Sequence, residues 1–387
     1  MINQIKIKDF RCIEGVSFKP RNINIFAGRN NTGKSSVLYA IATAFFRQKV
    51  YMESHQKMKY LVRIPQKKAE IEISSDNIVI KTIIFNDFEE IPEQYKKEIY
   101  LQLKNEIQTL FNKFKKNLNV NMDLEQVFSI ISNIIKIYTV TFVHEYASNN
   151  DVPRKHLISV ILDPARYKEA QTVLEKEFRL PETPKERVAL RFFVIRRVFD
   201  LIQNFKIGND SDFMKKANLN FYTDIKSEIE TDEKTLLALE NILREDVFPN
   251  LKRLGKDSVV LGEEFLERPI EIYGDGLKAI LTVLKLLYAS ENGILLLEEP
   301  ENHLHPGYMK LLIKHLIKYS EKLNVQLFIS THNMDLLEEF LKHKELDKKL
   351  QIIRMSKDEL KEKLSFEILN YNDAKEEEEM RLDIRGV

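Results

Sequence analysis

The sequence predicts an α/β fold: a mixed sheet built from the two ends of the chain, with an antiparallel hairpin lobe and a mainly helical insertion between them. Three observations carry this prediction. "NINIFA" leads through a glycine-containing loop into an apolar-striped helix near residues 33 to 46, which is strand, loop, helix. Beyond residue 260 the short apolar runs "GILLLEEP" and "NVQLFIST" read as buried strands, each followed by an amphipathic helix. Between these ends, Ala69 to Phe85 alternates in two arms around "SSDN", the pattern of a half-exposed hairpin.

Composition sets the outer limits. A chain of 387 residues with 43% apolar content can bury one large or two medium cores. Sixty basic residues against fifty-nine acidic ones leave no net charge that selects a polyanion, so charge must be read locally. Cys12 is the single cysteine, and no apolar run approaches the length of a membrane span. The start "MINQIKIKDF" has no signal-peptide core, so a reducing, cytoplasmic setting is expected.

Taken in order, residues 2 to 9 alternate as a strand, and residues 1–89 form the first part of the expected nucleotide domain. The run Gly28, Arg29, Asn30, Asn31, Thr32, Gly33, Lys34, Ser35 matches G-x-x-x-x-G-K-[ST] at every fixed position. The glycines let main-chain N–H groups close around phosphates, and the helix start adds partial positive charge. Lys34 reaches the outer phosphates and the Ser35 hydroxyl ligates Mg²⁺. The predicted contact set is Gly28, Asn30, Asn31, Thr32, Gly33, Lys34, Ser35 and Ser36, with ATP and Mg²⁺ as the ligands. The bland alternative is an ordinary glycine turn into a helix.

Residues 90–255 read as Lys- and Glu-rich helices such as "EQYKKEIYLQLKNEIQTLFNKFKKNL", and residues 256–387 as the second part of the nucleotide domain. There "ILLLEEPENHLHP" ends a buried strand on Glu298 and Glu299, where open α/β sheets bind ligands. Two adjacent acids at such an edge call for a cation: Glu298 is assigned to Mg²⁺ and Glu299 to the attacking water. The alternative is a pair of surface acids ahead of a helix that Pro306 opens at its first position. "FISTHN" delivers Thr331 and His332 to the same edge, with His332 as a γ-phosphate contact. The tail "SFEILNYNDAKEEEEMRLDIRG" reads as a strand and an acidic, solvated helix.

With these pieces in order, the chain resembles the ATPases that join ABC, SMC and RecF-type proteins, and most closely their OLD-like, AAA-annotated branch. The resemblance rests on "IKIKDFRCIEGVSFKP", "GRNNTGKSS", "YGDGLKAILTVLKLL", "EEPENHLHP" and "STHN", and covers roughly residues 1 to 50 and 255 to 387. It implies an ABC/SMC-like P-loop ATPase core, with Arg11 facing the nucleotide and Asn302 to His305 in the D-loop. It also implies that Gly274, Asp275 and Gly276 stand in the signature position. These would contact the γ-phosphate of a second subunit, so that two ATP are sandwiched in a homodimer. Taken on its own, G-D-G at a helix start is a plausible phosphate nest and equally an ordinary turn. Asp275 is a departure, and its side chain should point away from the phosphate. Glu298 is another, since the commoner residue is aspartate. The family's Q-loop glutamine has no clear place in the sequence, although Gln66 is a candidate.

The resemblance further implies action on DNA or on a partner effector, in DNA repair or anti-phage defence. The roughly 55 residues after His332 are expected to be too few for the Toprim domain of full OLD proteins. One alternative is an ATP-switched scaffold that controls a separately encoded nuclease. Another is a transporter subunit, which the GDG signature and the large insertion disfavour. The cations Lys57, Lys59, Arg63, Lys67 and Lys68, with Tyr60 among them, and "FNKFKK" ending at Lys116 can follow a phosphate backbone. They serve as well as a solvated, snorkelling face.

Overall fold

The computed structural model describes residues 1–45, 58–76, 78–114, 123–148, 155–177, 196–203, 205–208, 218–223, 232–262, 266–358 and 363–386. The chain divides into two compact units. One comprises Met1–Ile5, Phe18–Phe45 and Phe213–Val387, and the other Lys6–Ser17 and Phe46–Asp212.

The chain opens with strands β1 (Ile2–Phe10), β2 (Ile13–Phe18) and β3 (Ile23–Ala27), then helix α1 (Lys34–Ala44). All five residues of β3 are buried, as its unbroken apolar run requires of a strand covered on both faces. The Phe46–Asp212 stretch supplies β4 (Lys68–Ser75), β5 (Ile78–Phe85), α2 (Glu93–Phe114), α3 (Leu124–Tyr138), β6 (Thr139–Ser148), β7 (Lys155–Leu162), α4 (Tyr167–Glu177), α5 (Arg196–Gln203) and β8 (Phe205–Ile207). They build a seven-stranded sheet in the order β2-β1-β4-β5-β6-β7-β8, antiparallel from β4 onward. The expected hairpin is there, paired from Lys68 opposite Phe85 to Ser74 opposite Val79. Helix residues such as Ile99, Leu103, Ile131 and Ile135 share one core with Val143, Ile158 and Val160 of the strands. A reciprocal cap between Asp123 and Gln126 starts α3.

The stretch expected to be mainly helical therefore also supplies β6 and β7, which extend the hairpin into a broad sheet. "TVTFVHEYAS" and "KHLISVIL" are β-branched and aromatic enough for strands, but Lys- and Glu-rich helices flank them and dominate any long window. What makes them strands is pairing with the distant β5, which local propensity does not encode. His144 of β6 is fully buried with its Nδ1 2.9 Å from Thr82 Oγ1, and burial pushes its ring down to about 3, so it stays neutral.

The rest of the chain supplies β9 (Leu219–Tyr222), α6 (Glu233–Asp246), β10 (Leu251–Leu254), β11 (Ser258–Leu261), β12 (Leu266–Pro269), α7 (Asp275–Ala289), β13 (Ile294–Glu298), α8 (Pro306–Lys322), β14 (Gln326–Thr331), α9 (Met334–Leu341), β15 (Leu350–Asp358), β16 (Lys363–Asn370) and α10 (Tyr371–Glu379). The main sheet runs β16-β15-β3-β14-β13-β9. Strands β15 to β9 of that order are parallel, and β16 returns antiparallel at the edge. Strands β10, β11 and β12 form a small antiparallel sheet. Leu295, Leu297, Leu327 and Ile329 are fully buried in one core with α7, α8 and α9, each side chain stabilising the fold by about 2 kcal/mol. Pro306 opens α8 behind an N-cap at His305, as expected.

At the amino ends of the parallel strands lies a belt of buried amides. Gln326 accepts from the Ile2 N–H at 2.8 Å and donates to the Ile2 and Arg21 carbonyls at 3.0 and 2.9 Å. Asn24 donates to the Leu327 carbonyl at 3.0 Å and accepts from the Gln351 amide at 2.7 Å. The belt ties the beginning of β1 to β14 and β3. Among the described residues no helix is long and apolar enough to cross a membrane.

Candidate nucleotide-binding site

Strands β3, β14 and β13 lie side by side, with Ala27 opposite Thr331 and Ser330 opposite Glu298. Their carboxyl ends thus bring the Gly28–Gly33 loop, the Thr331–His332 turn and the Glu298–Glu299 pair to one sheet edge. The loop is tightly wound. A Cβ on Gly28 would lie 2.1 Å from the Met355 carbonyl oxygen and 2.9 Å from Thr32 Oγ1, so no side chain fits there. Asn31 and Gly33 take φ of 64° and 91°, the left-handed region that turns successive N–H groups toward one side. The Thr32 hydroxyl donates to the Arg29 carbonyl at 2.9 Å and braces the turn.

Gly33 is the N-cap of α1, which has no side-chain cap and no acidic residue in its first turn. Its first N–H groups and its dipole are therefore left to an anion. Lys34 is buried, with Nζ donating to the Gly28 and Arg29 carbonyls at 3.0 and 2.8 Å. Burial pushes its ammonium below the ordinary lysine value, opposed by the nearby carboxylates of Glu299, Glu301 and Glu298. Ser35 is half-buried one position on. A loop closed on its own lysine, ahead of an uncapped helix and facing acids, fits a nucleotide's phosphates with a divalent cation.

Across the edge, Glu299 sits at φ 44° and donates its N–H to the Ser330 carbonyl at 3.0 Å. Its Oε1 is 3.0 Å from His332 Nδ1, and its Oε2 accepts from the Asn302 amide at 3.3 Å. Two of the three predicted catalytic side chains, Glu299 and His332, therefore meet, and the third, Lys34, lies in the phosphate loop. Sequence reasoning missed a third acid. Glu301 is buried and accepts a hydrogen bond from the Thr331 hydroxyl, whose oxygen in turn accepts from the Asn333 N–H at 2.9 Å. Its other oxygen, Oε2, has no hydrogen-bond partner among the described residues. Burial holds the Glu301 carboxyl above the ordinary carboxylate value, and the charge of Glu299 adds to this. The only signal in the sequence was a third acid directly after Glu298, Glu299 and Pro300, in a loop without periodicity to show which way it faces.

Gly274, at φ 81°, is the N-cap of α7, and it too lacks a side-chain cap. The Asp275 side chain is largely exposed and 3.9 Å from Lys278 Nζ. A Cβ on Gly276 would meet the Tyr308 ring at 2.9 Å and the His303 carbonyl at 3.3 Å, so this glycine packs closely against the His303–Tyr308 stretch. Arg11 belongs to the other compact unit, where it forms the β1–β2 corner at φ 53° and donates its N–H to the Leu61 carbonyl at 2.8 Å. Of the basic stripe, Arg63 lies 3.8 Å from Glu14, Lys67 3.1 Å from both Asp87 and Glu90, and Lys68 3.0 Å from Glu70. Lys57, Lys115 and Lys116 lie outside the described residues, as does the side chain of Lys59. Gln66 is exposed in a turn of the same unit, its N–H donating to the Arg63 carbonyl at 2.7 Å.

Residues 1–337 match the AAA ATPase domain family. An "ATP/GTP phosphatase" of Helicobacter pylori is 33% identical over 73 residues, 18% of this chain and 20% of that protein. Two Methanocaldococcus jannaschii proteins, MJ1542 and MJECL11, are 36% identical over 78 residues and 33% over 70 residues. These cover 20% and 18% of this chain, and 10% and 61% of those proteins, so the matches span less than two thirds of each relative. Among solved structures, the Smc head domain of Pyrococcus furiosus bound to the C-terminal domain of ScpA aligns over 98% of this chain and 99% of its own, at 14% identity and a TM-score of 0.46. The SMC head domain of Thermotoga maritima aligns over 95% and 98%, at 11% identity and a TM-score of 0.43. With the phosphate loop, the histidine and the acids at the ends of three neighbouring parallel strands of one sheet, and with the family model matching residues 1–337, the chain belongs to the AAA ATPase domain family and carries that family's P-loop ATPase core.

Proposed function

We propose that the chain binds ATP with Mg²⁺ at the Gly28–Ser36 loop, hydrolyses it, and uses the bound nucleotide to join two copies head to tail. The observation that carries this reading is the pairing of Glu299 with His332 at 3.0 Å, just past the ends of the neighbouring strands β13 and β14, of which β14 lies beside β3, the strand that leads into the phosphate loop. Main-chain N–H groups of Asn30 to Ser36 hold the phosphates, and Lys34 exchanges its two loop carbonyls for phosphate oxygens. Ser35 and Glu298 would hold the cation, whose charge would offset that developing on the phosphates. Glu299 takes the proton of the attacking water, a role worth about 10²–10⁴-fold in rate. His332, with its Nδ1 side engaged by Glu299, turns its other ring nitrogen to the terminal phosphate.

In this reading Gly274, Asp275 and Gly276 complete the site of a second copy. The dimer cycle acts on DNA or on a partner effector in the cytoplasm, in repair or anti-phage defence. The ion pairs at Arg63, Lys67 and Lys68 favour the effector, such as a separately encoded nuclease, because cations already matched by carboxylates contribute less to phosphate binding. Glu299→Gln keeps shape and cation binding but removes the base. It is expected to retain ATP and lower turnover at least a hundredfold. Turnover at the parental rate, measured by phosphate release, would remove Glu299 from this role.

A further inference from the structure

Beyond the region matched by the family, the Asp383–Gly386 turn folds back onto the catalytic edge. Ile384 is fully buried in the main core, and its carbonyl accepts from Arg354 Nε at 2.9 Å. The Arg354 guanidinium also engages Glu367 and Glu377. A Cβ on Gly386, at φ 74°, would lie 2.4 Å from Arg354 Cδ, so the turn closes against that side chain. Asp383 holds Arg385 in a fork, with Nε to Oδ1 at 2.8 Å and Nη2 to Oδ2 at 2.7 Å. The third nitrogen, Nη1, is left outside the fork, and it donates to the main-chain carbonyl of His332 at 3.0 Å.

That carbonyl belongs to the peptide group whose N–H, on Asn333, donates to Thr331 Oγ1 at 2.9 Å, with Thr331 bonded to Glu301. In a trans peptide the two groups point opposite ways. The His332–Asn333 peptide plane is therefore gripped from both sides, by Arg385 at its oxygen and by the Thr331–Glu301 pair at its hydrogen. Fixing that plane sets the direction in which His332 projects its ring toward Glu299.

We infer that Arg385 is a positioning residue for His332, holding the imidazole in line with Glu299 and the terminal phosphate through the peptide carbonyl. This rests on the ATPase reading of His332. Arg385→Ala should lower kcat about ten- to a hundredfold, the scale of a small misplacement, with KM for ATP within about twofold and the melting midpoint nearly unchanged. Arg385→Lys, which cannot be held in the Asp383 fork while reaching the carbonyl, should fall nearly as far. Combined with His332→Ala, Arg385→Ala should add no further loss. In the nucleotide-free protein, the His332 ring resonances should shift in Arg385→Ala while those of His144 stay put.

Parental turnover in Arg385→Ala, or an additive loss on top of His332→Ala, overturns the inference while leaving the ATPase reading in place. Parental turnover in His332→Ala overturns the assigned role of His332 itself. If Arg385→Ala does not fold, Asp383→Asn loosens the fork with the guanidinium retained. It should show the same selective loss of kcat, and parental kcat there counts against the inference.

Discussion

Glu301 carries a carboxyl group to a place where, among the described residues, only one of its oxygens finds a hydrogen-bond partner. Its burial raises the pKa in the folded chain above the ordinary value, so the folded state holds the proton more tightly than the unfolded one. For an acid shifted in this direction, stability is greatest below the ordinary carboxylate value. It declines as pH rises through the window up to the raised value, because there the unfolded state binds fewer protons. Glu301→Gln keeps an acceptor for the Thr331 hydroxyl and removes the ionisation. The variant should therefore be more stable than the parent at pH 8, and the gap should close as the pH approaches 4. Denaturant midpoints across that range test this, and a variant less stable than its parent at pH 8 would mean that the buried charge is compensated by Lys34 and its surroundings. The same residue marks a limit of sequence reading. Glu298 and Glu299 could be placed because four apolar residues ahead of them announce a strand end, and His332 because "FIS" does the same. Glu301 and Arg385 lie on irregular backbone, where only tertiary contacts decide which way a side chain faces.

Elements differed in the same way. The β3–loop–α1 unit, the hairpin β4–β5 and strands β13 and β14 were legible because each combines an apolar pattern with a sharp boundary of glycine, proline or acid. The four-residue β9 and the β6–β7 pair were not, since a short or flanked strand is defined by its neighbour rather than by its own sequence. The tail was read correctly as strand and acidic helix, β16 and α10, while the burial of Ile384 behind them was invisible. The amide belt is a second non-local feature, and it has a measurable weight. Gln326→Ala would leave the Ile2 N–H and the Ile2 and Arg21 carbonyls without their side-chain partner. At about 1–3 kcal/mol for a buried unsatisfied group, a loss of about 2–4 kcal/mol is expected, because some of these groups regain water at the sheet's end. Chemical denaturation measures it, and a loss under about 1 kcal/mol would show that water replaces the amide throughout.

At the scale of the whole molecule, the proposed sandwich makes ATP a bridge between copies. Gly276 is a poor place to probe it, since any side chain there strikes Tyr308 and the His303 carbonyl within its own chain. Asp275 begins the same helix with a largely exposed side chain, and Arg29 is exposed in the phosphate loop. Asp275→Cys combined with Arg29→Cys, in a Glu299→Gln and Cys12→Ser background, should give an intersubunit disulfide that forms with ATP and not without it. Absence of that crosslink in protein that still binds ATP would reject the head-to-tail arrangement.

The contact between Gly28 and Met355 also bears on how this sequence can drift. Position 28 is barred to every side chain, but what bars it is the carbonyl oxygen of residue 355, an atom every amino acid possesses. The obstacle therefore cannot be mutated away. The Met355 side chain, buried in β15, is free to exchange with other apolar residues of similar bulk without relaxing the loop it confines. Genetic variation at this junction is accordingly one-sided: the glycine is pinned by a partner whose own identity is nearly free to wander.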